Sequence, residues 1–184
     1  MSQIQPLTPS QRTLLDNLTR ELFQTETSAF KHCNREADRL GDTPPALALR
    51  NVSAHAKVIL EALPDLARRN DMVVSKGGMV VGELFSQLRD KMADMLIDSE
   101  RSYRGTLLGA RHGIDVVRLL QRFANAVANV ELAQFCTSWL EQRVVLVQQL
   151  EEELRWFAEH ADEAVKFARP LVSSLRAQTR SGSA

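Results

Sequence analysis

Cysteine is scarce in this chain of 184 residues. Cys33 and Cys136 are its only two, too few for a disulfide framework and too far apart for a zinc signature. Eight glycines and six prolines exclude a fibrous or low-complexity protein. Neither sign of charge is in excess: Lys plus Arg and Asp plus Glu both number 23. A nucleic-acid binder draws affinity from a basic surplus, and none is present beyond a local Arg118/Arg122 cluster. No apolar run approaches the ~20 residues of a membrane-spanning helix. The opening MSQIQPLTPSQ lacks the apolar core of a signal peptide, so a reducing cytoplasm is the expected location. Nucleotide-binding glycine loops and glycine-flanked nucleophile serines are missing as well, which removes most catalytic motifs.

What the chain has is apolar residues at helical spacing, with no stretch alternating at period two. At 44% hydrophobic and 25% charged it can bury one core. The expected organisation is a polar N-terminus over residues 1–8, one helical domain over 9–168 and a tail over 169–184. Thr8 before Pro9 predicts a capped helix one over 9–40. Its stripe is Leu14/Leu15, Leu18, Leu22, Ala29, Cys33, Ala37 and Leu40, and Gly41 stops it. Thr43, Pro44 and Pro45 open helix two, with Ala48, Val52, Ile59, Ala62 and Leu66 inward; Pro64 kinks or ends it. After a loop around Gly77 and Gly78, helix three is expected over 79–112. Gly113 should end it, and Asp115 should cap the next. From Asp115 to Ala168 there is neither glycine nor proline. Unbroken, that helix would reach ~80 Å against ~48 Å for helix one, so a break or an overhang is expected, with Trp156 and Phe157 needing a partner surface. The fold class is all-α: a four-helix bundle with a C-terminal helical extension.

Four ligand-type side chains fall on the apolar stripes, one per helix: Glu26, His55, Glu100 and Glu131. A carboxylate on a core stripe is costly to bury unless it is paired or binds a cation. Each has a plainer reading. A small rotation of helix one puts Thr25 on the seam instead of Glu26. His55 can be a satisfied core histidine, Glu100 can pair with Arg104 at i+4, and Glu131 with Gln134 can form a polar face. Tyr103 reads as a core aromatic, Glu151 to Glu153 as a solvated face, and both cysteines as small buried residues.

With DSERSY before GTLLGARHGID, and NVELAQF after, the order of these residues resembles the ferritin-like superfamily of di-iron carboxylate bundles. The resemblance covers residues 10–150. It implies an iron or other divalent-metal site with Glu26 and Glu100 as single carboxylates, His55 as the helix-two histidine and Glu131 as the helix-four glutamate. Val52 and Gln134 stand where that family has its other two ligands, so the implied site is incomplete. The residues themselves imply no cofactor.

Two functions follow. One is a non-catalytic binding or assembly module, pairing as a homo-oligomer, expected to be a dimer, or with another helical protein. Its surface would be the helix after Asp115, where Trp139, Val144, Val145, Leu146, Val147, Leu150, Trp156 and Phe157 spread around the circumference. The other is a ferritin-like protein storing iron or carrying redox chemistry. Neither nucleic acid nor membrane is an expected partner. Glu100 and His55 are expected to face each other in the interior.

Overall fold

The computed structural model describes residues 6–72 and 98–166. Among these the chain is all-helical: α1 Pro9–Leu40, α2 Pro44–Arg69, α3 Ser99–Ala126, α4 Val130–Glu152 and two short helices, α5 Leu154–Glu159 and α6 Ala161–Ala164. The expected loop around Gly77, the first part of helix three over 79–97 and the tail over 169–184 lie outside the described residues.

Helix ends follow local chemistry. Thr8 and Gln11 form a reciprocal capping box, each side chain bonding the other's backbone N–H (3.3 and 2.9 Å). Gly41 ends α1 at φ +68°, where a side chain would be strained. Thr43 accepts from the Ala46 N–H ahead of two prolines. Pro64 lies inside α2, which continues to Arg69. The ring removes one helical hydrogen bond but does not end the helix, because Leu63 and Leu66 on either side of it are buried.

The expected stop at Gly113 is corrected. Gly113 is a buried, mid-helical position of α3. A Cβ there would stand 3.7 Å from Cη2 of Trp139 and 3.8 Å from Cβ of Thr25, ordinary contact distances between α1, α3 and α4, and the helix runs through the glycine without a break. The break falls later. Ala128 adopts φ +56°, and the Asn129 side chain accepts from the Leu132 N–H at 3.0 Å to start α4.

α1 packs on α2 and α3, and α4 packs on the same two, closing a ring of four long helices. Cross-helix pairs give their directions. Phe30 with Ser53 and Thr19 with Met72 make α1 and α2 antiparallel. Glu36 with Ser102 and Glu21 with His112 do the same for α1 and α3. Arg69 with Glu131 and His55 with Arg143 set α2 against α4, and Arg111 with Glu151 and Gln121 with Thr137 set α3 against α4. Consequently α2 and α3 run the same way, and the C-terminus of α2 and the N-terminus of α3 stand at opposite ends of the array.

The core contains Leu15, Leu18, Leu22, Leu49, Val52, Leu63, Tyr103, Val117, Leu120, Leu132, Trp139 and Leu150, all at most 4% exposed. Burying each leucine contributes ~1.5–3 kcal/mol. Leu14 and Ala62, expected inward, face out. The foreseen overhang folds back onto the chain itself. Phe157 packs against Tyr103 with ring centroids 5.0 Å apart, and Trp156 meets Phe157 edge-on at 5.1 Å. The Tyr103 hydroxyl donates to the Leu150 carbonyl at 2.9 Å, just before α4 ends.

Candidate functional site: a buried charge cluster

One polar cluster sits in the middle of this core. α1 contributes Glu26, α2 His55, and α4 both Trp139 and Arg143. Glu26 is 0% exposed, Arg143 and Trp139 1%, and His55 9%. Each lies on its helix's inward stripe. Glu26 follows Leu22 by four residues, and His55 lies between Val52 and Ile59. Arg143 continues Leu132, Cys136 and Trp139 toward Val147 and Leu150.

Arg143 joins the others. Its terminal nitrogen Nη2 donates to Glu26 Oε2 at 2.6 Å. Its Nε donates to His55 Nδ1 at 3.1 Å, and Nη2 also approaches Nδ1 at 2.9 Å. The guanidinium carbon lies 4.7 Å from the centre of the Trp139 ring, a cation–π contact. The indole meets the imidazole edge-on at 6.0 Å.

The electrostatics follow from this geometry. Burial raises the Glu26 carboxyl above its ordinary range. The Arg143 charge and hydrogen bond oppose that rise, and the nearby Trp139 indole adds a smaller opposing effect without closing a full hydrogen bond. Burial, then the facing Arg143 cation, push His55 down to about 4. His55 is therefore neutral at pH 7. Because Nδ1 receives the Arg143 donors, its proton sits on Nε2. Glu26 Oε1, His55 Nε2 and Trp139 Nε1 are buried without hydrogen-bond partners.

The four expected metal ligands divide in two. Glu26 and His55 come together, with the guanidinium lying between them. Glu100 and Glu131 stand elsewhere, each with its own arginine. Glu100 binds Arg104 at 2.6 and 3.1 Å in the first turn of α3, where it also favours the helix dipole. Glu131 binds Arg69 at 2.5 Å and Asn70 at 3.1 Å on the surface, and Arg69 holds its carboxyl below the usual range. The expected approach of Glu100 to His55 is thus corrected: His55 meets Arg143 and Trp139 instead. Among the described residues no three His, Cys, Asp or Glu side chains gather where they could hold a metal ion.

Arg143 is not among the candidate ligands, although an arginine four residues from Trp139 and from Val147 on an apolar stripe is a visible signal. Trp139, expected on an outer surface, belongs to the core. Glu36 is a further buried carboxylate outside the candidate set; it is 3% exposed and accepts from Ser102 at 2.7 Å and Arg39 at 3.3 Å. The cysteines are buried, and burial pushes the Cys136 thiol up to about 12, far from thiolate chemistry.

No family model matches the chain, and neither a curated protein nor a solved structure is similar to it at a significant level. Among the described residues no helix is long and apolar enough to cross a membrane.

Proposed function

We propose that this chain is a non-catalytic binding or assembly module of the cytoplasm, a four-helix bundle descended from a ferritin-like metal protein whose centre is now closed by an arginine. One observation carries the reading. The guanidinium of Arg143 lies between Glu26 and His55, the two candidate ligands that converge in the core. A fixed cation neutralises the carboxylate and takes both donor groups, which is the electrostatic role of a metal without its open coordination positions. The helix directions support the ancestry, since helices two and three also run the same way in the ferritin-like arrangement. With the centre closed, function moves to the surface, and self-association is its simplest form.

The second reading, iron or another divalent metal held by Glu26, His55, Glu100 and Glu131, is favoured by the burial of Glu26 and His55 together. It requires Arg143 to leave and two surface glutamates to abandon their arginines. Calorimetric titration of ferrous iron or zinc into the purified full chain separates the two. The assembly reading expects no binding that depends on Glu26. One ion per chain, lost in Glu26→Gln, would establish the metal protein.

A further inference from the structure

Every residue of α1 from 20 to 30 is buried or half-buried. A helix in a ring of four covers its inward stripe and turns at least one residue per turn to water. α4 does so with Gln134, Ser138, Glu141 and Val145, and α2 and α3 show the same pattern. On α1 the positions opposite Leu22, Glu26 and Cys33 are Arg20, Gln24 and Thr27, and none of the three is exposed. Nε of Arg20 is shut off from water, and Gln24 is engaged by a partner. The helices packed on α1 are α2 and α3, and both meet its inward side. The outward strip is covered by something else.

Connectivity says by what. α2 ends beside the first turns of α1, where Arg12 binds Asp71 at 2.9 Å. α3 starts beside the last turns of α1, where Ser102 donates to Glu36 at 2.7 Å. Residues 73–97 join these two points, which stand apart by about the ~39 Å length of α2. A chain reaches up to ~3.3 Å per residue, so these residues are long enough to pass along the whole bundle. α2 and α3 occupy opposite corners of the ring, so the way between them leads over α1 or over α4. α4 keeps its outward residues in water and α1 does not. Residues 73–97 also carry Val81, Leu84, Leu88, Met92 and Met95 at spacings of three and four, an apolar set that needs a surface. The tail after Lys166 starts at the α3 end too, where Ser99 bonds the Lys166 carbonyl, but it is tied at one end only.

We infer that the outward strip of α1 is a docking surface for the chain's own residues 73–97, which follow it in the direction of α1. The inference stands apart from the assembly reading, and it removes α1 from the faces that a partner can use.

Register gives the first test. Asp71 beside Arg12 and Ser102 beside Glu36 set offsets of 59 and 66 residues along α1. The separation of Lys31 from Lys91 falls between them, so the two lysines come side by side. Short-arm amine cross-linking of the full chain, read by peptide mass, should join them. Thiol labelling gives the second test, since the native Cys33 and Cys136 are buried. A maleimide should react with Thr27→Cys roughly tenfold more slowly than with Ser138→Cys in the folded chain. Leu171→Asp with Leu175→Asp in the tail should leave that difference unchanged. Equal labelling, protection at Ser138→Cys instead, protection lost in the tail variant, or no link between Lys31 and Lys91 would each overturn the inference. None of these results bears on self-association, which light scattering reads separately.

Discussion

Arg143 on α4 donates to Glu26 on α1 at 2.6 Å across 117 residues of sequence, and both side chains are shut away from water. Each ion would be costly to bury alone. Together, with His55 accepting on the other side of the guanidinium, they form a neutral set that ties α1, α2 and α4 into one register. The pairing specifies how the helices meet more than it adds stability.

Single and double replacements should therefore behave very differently. Glu26→Gln or Arg143→Met alone leaves an unpaired buried charge and should cost about 3–5 kcal/mol in denaturant unfolding. Glu26→Leu combined with Arg143→Met removes both ions and should recover most of that loss. Additive losses in the double variant would show that the pair is not coupled.

His55 gives the cluster a pH dependence of known sign. Its folded pKa, about 4, lies below the ordinary 6.5. The unfolded chain therefore takes the proton first. The stability His55 contributes is complete above about 6.5 and is lost as pH falls toward 4. Replacing it with Asn removes this titration while Glu26 and Arg143 stay. The difference in unfolding midpoint between wild type and His55→Asn should be flat above pH 7 and shift in favour of the variant between pH 6.5 and 4. A difference independent of pH over that range would contradict the assignment.

Two backbone positions should respond to substitution in opposite chemical directions. Gly113→Ala should stabilise by about 0.5–1 kcal/mol, because its Cβ would make ordinary contacts with Trp139 and Thr25 while the helix gains propensity. Ala128→Gly should also stabilise, by up to about 1 kcal/mol, because Ala128 holds a left-handed φ of +56° that glycine adopts freely. Thermal unfolding reads both. A fall in melting temperature for Gly113→Ala would mean that the Trp139 packing is tighter than these distances allow.

Much of the fold was legible because capping and periodicity are local. Thr8, Pro9, Gly41 and Thr43 marked the limits of α1 and the start of α2 from their own chemistry. Gly113 reads as a stop, because a glycine within a helix looks the same in sequence as one that ends it. The break at Ala128 carried no glycine, and only Asn129 signalled it. In the candidate site, the inward stripes correctly drew attention to Glu26 and His55. Glu100 and Glu131 lay on stripes too, but a rotation of a few tens of degrees separates an inward carboxylate from a rim one, and their arginine partners decide it. Arg143 went unread because a long charged side chain on a helix is ordinarily solvated, and only the facing Glu26 makes its burial tolerable.

The central claim is that a guanidinium stands where the resemblance implies a metal. Crystals of the full chain grown with iron or zinc, measured at the absorption edge of that metal, test it most directly. The account predicts Arg143 bonded to both Glu26 and His55, and no anomalous peak between them. Arg143 displaced from the cluster, with an anomalous peak bound by Glu26 and His55, would contradict it.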